Sequence, residues 1–509
     1  MIPNKRTAIR GFLCIFFALS AGLVATGAQT PQDGTSTQTA KPESVAAGAP
    51  YRKVLDNGLE ILVLEQPGAD HVRMGIVFRA GATAQTAQTA GLFRLLELVL
   101  FRGNATDPGE PEPGGAVEAL GAENISGGAK SDRFDFIFDI QSDRVAQGFD
   151  TLQSLFSDYR LETALADPAA LEEARNAALL SLKEYSTGPD EVYEAAIVRK
   201  LFARAPWRFD TAGADYLIRA ADGDKLRTLA STWLLPNNAV LIVAGDVDAA
   251  KIAVMAETAF GAWKRGSDPW KTAPAAFPKP GVTRPTWMTY PDPSVPQGQA
   301  SVEMLYRGPD VASTAHYGAA ILWEVLAASP TCRLSTAVQK GMPKAAQIST
   351  PTVRYRPSRD SSWFSLEFSF KLEGVSTTAD RVLSLKEIVR GSEMYAMKTS
   401  LSYFSKAEYE TARSSLHENR AAALMDPARG ITILADSWLA GGADQLVRWA
   451  ERVDRTTSKE VAAFADEYFM RNLEVVAVRI NPADYAARKK TFDSYGFEQI
   501  NAAKAFWWM

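Results

Sequence analysis

Apolar positions recur along this chain with two periods, one of two residues and one near 3.6, and together they outline its fold. Residues 51–55 and 59–64 are strand-like runs on either side of Asp56-Asn57-Gly58. Asn and Gly tolerate positive φ, so the arrangement predicts a hairpin. Residues 72–78 give a third strand, and residues 134–140 alternate as a strand does. Between them, residues 91–103 form an apolar stretch broken by Arg94, Glu97 and Arg102, and read as a helix. Helical patterns follow at 144–161, 168–185 and 191–203. Hairpin-type strands mixed with helices point to an α+β fold rather than a doubly wound parallel sheet.

The pattern then repeats. Residues 224–243 match residues 459–478 at an offset of 235 positions, with Leu229 on Phe464, Trp233 on Tyr468, Asn237 on Asn472 and Val243 on Val478. Each copy is an amphipathic helix, an aromatic end, an Asn turn and a β-branched strand. A second echo relates Gly75-Ile76-Val77-Phe78-Arg79 to Glu303-Met304-Leu305-Tyr306-Arg307 at an offset of 228, and each is followed by an apolar helix. Elements recurring in one order predict two homologous α/β-sandwich domains, each an antiparallel-rich sheet with helices packed on one side. Residues 51–265 and 297–509 are the expected domains. The stretch 266–296, rich in Pro and without an apolar period, is the expected linker.

Composition narrows the classes of function. Of the 509 residues, 46% are hydrophobic and 22% charged, which is ordinary for a globular protein. A net charge of −4 excludes the basic excess of a nucleic-acid surface. At the start, Lys5, Arg6 and Arg10 precede an apolar run at 11–24 and the small residues Thr26, Gly27 and Ala28. This is the layout of a signal peptide, residues 1–28, removed after Ala28; the other reading is an uncleaved anchor. The run is shorter than a comfortable membrane span, and no later stretch qualifies as one. Residues 29–50, rich in Thr, Gln, Ala, Gly and Pro, read as a flexible leader. Cys14 lies in the signal segment, so the exported chain keeps Cys332 alone and has no intrachain disulfide. Cys332 is either a buried bystander or a catalytic thiol, and no His neighbours it in sequence. Export without disulfides suits a periplasm.

Gly91-Leu92-Phe93-Arg94-Leu95-Leu96-Glu97-Leu98-Val99-Leu100-Phe101-Arg102-Gly103 resembles the zinc-binding helix of the pitrilysin/insulinase metallopeptidases, with its inverted His-x-x-Glu-His signature. Two more segments carry the resemblance in order. Residues 235–247, Leu-Pro-Asn-Asn-Ala-Val-Leu-Ile-Val-Ala-Gly-Asp-Val, are similar to the segment that closes the family's first domain. The stretch from Cys332-Arg333-Leu334-Ser335 to Lys344-Ala345-Ala346, with Tyr355-Arg356-Pro357-Ser358-Arg359-Asp360 after it, resembles a segment of the second. The resemblance implies a two-domain bacterial subunit similar to those of the mitochondrial processing peptidase. It also implies a zinc ion held by two His and a later Glu, with the intervening Glu as general base.

This chain departs from that pattern. Arg94 and Leu98 stand where the resemblance places the two His, and Glu97 alone remains as a vestigial base. A guanidinium stays protonated and has no lone pair to give, and a leucine offers only methyl groups. Glu172 or Glu173, some seventy-five residues on, falls where the third ligand is implied. The three His, His71, His316 and His417, form no local pair. Without a metal to acidify water, Glu97 has no hydroxide to generate. Arg94 is either an exposed i,i+3 partner of Glu97 or the occupant of the metal's place, neutralising Glu97 and Glu172 or Glu173. On the substrate side, Arg333 matches the family's Arg, as a retained contact or only a helix-start charge, while its Tyr position reads Ala346.

The reading therefore expects a non-catalytic member of the family, with no cofactor, that binds peptide or unfolded polypeptide. Its expected partner is an active zinc-containing relative in a periplasmic heterodimer, and a strand edge near Phe134 is expected to hold peptide by β-augmentation. The alternatives are a metalloendopeptidase with an unorthodox site and a stand-alone periplasmic peptide-binding or assembly factor. Gly127-Gly128 reads as a turn or bulge. The tail Ala505-Phe506-Trp507-Trp508-Met509 either packs on its own domain or anchors a subunit interface, where Trp is enriched.

Overall fold

The computed structural model describes residues 50–101, 117, 120–156, 158–271, 282–327, 332–359 and 362–509. In the first half, strands β1 (Tyr51–Val54), β2 (Glu60–Glu65) and β3 (Val72–Phe78) lead into helix α1 (Leu92–Phe101). Strands β4 (Glu123–Ala129) and β5 (Phe134–Ile140) follow, then helices α2 (Pro168–Thr187), α3 (Pro189–Leu201) and α4 (Gly223–Trp233), and strand β6 (Ala239–Gly245). The second half opens on β7 (Thr286–Pro291) and β8 (Gln299–Arg307), with α5 (Thr314–Ala327) and α6 (Arg333–Gly341) behind them. Next come β9 (Thr352–Arg356), β10 (Trp363–Lys371), α7 (Lys406–Leu424), α8 (Pro427–Gly441), α9 (Ala443–Arg455), α10 (Ser458–Ala465), β11 (Val475–Ile480) and β12 (Glu498–Gln499).

Among the described residues these strands make two six-stranded sheets, ordered β1-β2-β6-β3-β5-β4 and β12-β7-β11-β8-β10-β9. Both are mostly antiparallel, so the fold is α+β with two domains of one design. The two sequence echoes turn out to pair with each other. Val77 lies opposite Val240 in the first sheet, and their counterparts Leu305 and Val475 lie opposite each other in the second. The parallel pair β2·β6 recurs as β7·β11. Only the outermost strand differs: β1 joins β2 through the expected hairpin, whereas β12 arrives from the chain's end and runs parallel to β7.

Each central strand is apolar on both faces, because each sheet is covered twice. The inner face of the first sheet, with Met74, Ile76, Phe134 and Phe136, packs on α1, α2 and their neighbours. Its outer face, with Leu62, Leu64, Val77, Val240 and Ile242, is covered by Ile431, Leu434, Trp438 and Leu439 of the second half's α8. The exchange is reciprocal. Val192, Tyr193, Ile197 and Leu201 of α3 cover Met288, Leu305, Val475 and Ala477 on the outer face of the second sheet. An arginine closes each contact: Arg79 after β3 lies 4.3 Å from the Trp438 ring, and Arg307 at the end of β8 lies 4.7 Å from the Phe202 ring.

Several expectations need correction. The 266–296 stretch holds β7, which pairs with β11 on one side and β12 on the other, so it is more than a linker. Its Pro content hid a strand whose ends, not its middle, carry the proline. The Phe134 strand, β5, is interior, paired with β3 and β4; the edge is β4. Gly127 and Gly128 belong to that edge strand rather than to a turn, and the register shift lies between Glu123 and Ser126. The helix expected over 144–161 divides into Val145–Phe156 and Asp158–Ala166. The signal segment, the leader up to residue 49, Arg102 and Gly103 lie outside the described residues.

Candidate functional site

Helix α1 lies beneath the sheet, and all its residues except Arg94 are buried. Leu95, Leu96, Leu98 and Val99 belong to the first half's main apolar core, and Leu98 is 2% exposed. A helix so surrounded has no solvent face for a charge, yet Glu97 is also only 2% exposed. Its carboxylate is satisfied from two sides. Arg94, one turn back, donates Nη1 to Glu97 Oε1. The backbone N–H of Ala129, on edge strand β4, donates to Glu97 Oε2 at 2.8 Å.

Gly128 makes this contact possible. It has φ +112, and a Cβ there would sit 2.1 Å from the Glu97 carboxyl carbon. Only a residue without a side chain lets the strand pass this close over the acid. Burial pushes the Glu97 carboxyl up to about 7. The Arg94 charge and the Ala129 bond oppose that rise, and Asp135 on β5 adds to it. Asp135 itself accepts from Lys130 Nζ at 2.8 Å.

The two candidate third ligands stand side by side on α2. Glu172 sits on α2, side chain 57% exposed, and is paired one turn on with Arg175. Glu173 is exposed on the same helix, whose Ala174, Ala178 and Leu182 take the buried face. The His residues are scattered. His71 lies 3.7 Å from Asp139, His316 Nδ1 meets the Tyr355 hydroxyl at 2.9 Å, and His417 pairs with Asp454 at 2.8 Å. Among the described residues, no three of His, Cys, Asp and Glu gather as a metal-ion cluster. The donor set at α1 does not fit zinc. Arg94 has no lone pair, Leu98 is core, and both Glu97 oxygens are already accepting.

In the second half, Arg333 opens α6 and makes a two-pronged ion pair with Glu408 of α7, Nε–Oε1 2.6 Å and Nη2–Oε2 2.9 Å. The guanidinium also lies 4.9 Å from the Tyr403 ring. Glu408 caps its own helix through Ser405, and the Arg333 hydrogen bonds hold its carboxyl down at about 2. Ala346 is fully buried in a short 3-10 turn, Lys344–Ala346. Both positions are thus built into the second half's own packing.

The C-terminal tail packs on the chain itself. Trp507 Nε1 donates to Asp210 Oδ2 at 2.9 Å, Phe506 meets the Tyr185 ring at 5.2 Å, and Arg199 donates to the Lys504 and Phe506 carbonyls. Burial raises the Asp210 carboxyl to about 7, against the Gly213, Trp507 and Ala212 hydrogen bonds. Sequence reasoning missed Gly128 and Asp210. The Gly-Gly pair was the available signal for the first; nothing in the sequence marked the second.

Comparison with known proteins follows the same outline. The family model described as insulinase, peptidase family M16, matches residues 60–214, and the one described as the M16 inactive domain matches residues 220–416. An uncharacterized zinc protease of Bacillus subtilis, YmxG, is 19% identical over 369 residues, covering 70% of this chain and 86% of that protein. The beta subunit of the mitochondrial-processing peptidase of Blastocladiella emersonii is 23% identical over 265 residues, 51% of this chain and 55% of that one. A protease from Helicobacter pylori shares the fold with a TM-score of 0.63 at 14% identity, over 85% of this chain and 99% of its own. An M16 inactive domain from Pseudomonas fluorescens does so with a TM-score of 0.62 at 15% identity, over 85% and 98%.

Proposed function

Because this chain belongs to the insulinase family of peptidases, M16, we propose that it is a non-catalytic member that binds peptide beside an active, zinc-containing relative. The observation that carries the reading is the Glu97 carboxylate, closed off by Arg94 and the Ala129 N–H, with Leu98 in the core. The resemblance places zinc ligands at Arg94 and Leu98, and there the chain has a cation and an aliphatic group. A general base needs a reacting proton within hydrogen-bond reach, and Glu97 has both oxygens committed inside the fold.

Strand β4 supports the peptide-binding part. Among the described residues it pairs with β5 on one side only, and it is the edge to which an extended segment would add. The relative named as a processing-peptidase beta subunit is one member of a multi-subunit enzyme by its name, and this supports an assembly of unlike subunits. The signal-peptide pattern and the lone Cys332 favour a periplasmic setting. Among the described residues no helix is long and apolar enough to cross a membrane.

The test is co-expression with a His-containing relative from the same organism. The expected result is co-purification at fixed stoichiometry and a rise in the relative's peptide hydrolysis that Glu97→Gln leaves unchanged. A monomer that binds peptide and never joins the relative would favour the stand-alone binder instead.

A further inference from the structure

A cavity of about 250 Å³ lies where the two halves meet, and its charges do not balance. Arg79 after β3 and Asp132 and Arg133 of the β4–β5 turn line it from the first half. Arg356 and Arg359, at and beyond the end of β9, and Asp436 of α8 line it from the second. Two of the four arginines are accounted for. Arg133 Nη2 lies 2.8 Å from Asp436, with Asp132 3.6 Å from its Nε. Arg356 lies 2.8 Å from Glu194.

Arg79 and Arg359 are left over. Neither has a carboxylate within 4.0 Å among the described residues. Arg79 gives its Nη2 to the Trp438 carbonyl at 2.8 Å and rests on the Trp438 ring. Burial, and then the Arg359 charge, lower the hold of Arg79 on its proton to about 10. Glu60 and Asp268 offset part of that repulsion from a distance, yet among the described residues neither guanidinium has a carboxylate in ion-pair contact, a cost to the fold that a bound anion would remove.

The geometry points to an oxyanion site at this seam: a carboxylate- or phosphate-bearing small molecule held between Arg79 of the first half and Arg359 of the second. A guanidinium offers parallel N–H donors that match the two oxygens of such a group. The ligand would draw on both halves at once, so its binding would tighten their contact. Arg359 is exposed, so a substitution there tests the site with the least disturbance of the core.

The experiment is thermal denaturation of the whole mature chain in rising inorganic phosphate, and separately in citrate, each against sodium chloride at matched ionic strength. The expected result is a saturable rise in melting temperature with at least one of the two anions, and which one distinguishes a phosphate from a carboxylate ligand. Arg359→Ala should weaken the apparent affinity about tenfold, the size of a lost charged hydrogen bond. Arg359→Glu should raise the melting temperature without anion, by giving Arg79 a partner, and abolish the response. Arg79→Gln gives an independent loss from the other half. A response that follows ionic strength alone, or persists unchanged in Arg359→Ala and Arg79→Gln, overturns the proposal.

Discussion

Beneath the edge of the first sheet the helix carries a carboxylate; the corresponding helix of the second sheet has an aliphatic residue at that place and carries its acid, Glu324, one position away, accepting from Ser415 of α7. In the first half, α1 buries Glu97 and ties it to β4 through the Ala129 N–H. In the second, α5 fills the space with Ile321, Leu322 and Leu326, all fully buried. Its titratable group near the edge strand is His316, bonded to Tyr355 of β9 and pushed by burial, and then by Arg420, down to about 4, so it stays neutral. One frame thus tolerates two solutions. The neutral one needs a single hydrogen bond, and the charged one needs a cation on the same helix, a strand N–H and a glycine.

That contrast can be broken most forcefully at Gly128. Gly128→Ala would force the edge strand off Glu97 and strain a φ of +112, costing about 2–4 kcal/mol in urea denaturation. Arg354→Ala on β9, the matching edge, should change stability by less than about 0.5 kcal/mol, because its pair with Glu367 is exposed. Equal effects at both sites would mean that the halves do not differ as described.

Arg94→Leu comes next. Leaving Glu97 buried without its cation should cost about 1–3 kcal/mol, less than the roughly 3–5 kcal/mol of a fully buried broken pair because Arg94 is 24% exposed. The double change Arg94→Leu with Glu97→Leu should recover most of the loss, as apolar replacements of buried pairs do. No shift in melting temperature for the single variant would sink the idea that Arg94 neutralises Glu97.

The acid also sets a pH dependence. The folded Glu97 carboxyl, raised to about 7, keeps a proton that the unfolded chain has released above about 4.5. Stability from this group is therefore greatest at low pH and falls as pH rises through that window. Asp210 works in the same direction, so the comparison with Glu97→Gln isolates the first term. The wild type should lose on the order of 1–2 kcal/mol relative to that variant between pH 5 and 8. Parallel profiles would show that Glu97 is ionised throughout.

A modest effect is expected at the tail, the second half's reach onto the first. Trp507→Phe removes the donor to Asp210 and keeps the ring against Trp207, costing about 1 kcal/mol by calorimetry. A neutral result would reduce the latch to ring packing.

Much of the frame was legible. The two echoes identified strands that pair with each other in register, because strand pairing preserves spacing through both copies. The reciprocal helices were not, since a strand apolar on both faces does not say whose helix covers it. The edge was misplaced because Phe134-Asp135-Phe136 alternates cleanly while Glu123–Ala129, the true edge, has little apolar pattern. At the site, the i,i+3 spacing of Arg94 and Glu97 was enough to suggest their pairing. The bond to Ala129 was beyond reach, as it joins residues far apart in sequence that only the sheet brings together.

The central proposal is that α1 holds neither a metal nor a working base, and zinc analysis with a peptide-hydrolysis assay on the purified protein tests it most directly. The account predicts zinc well below one equivalent after dialysis against a zinc buffer, and the same background hydrolysis in the wild type and in Glu97→Gln. Stoichiometric zinc, with hydrolysis abolished by Glu97→Gln, would contradict it.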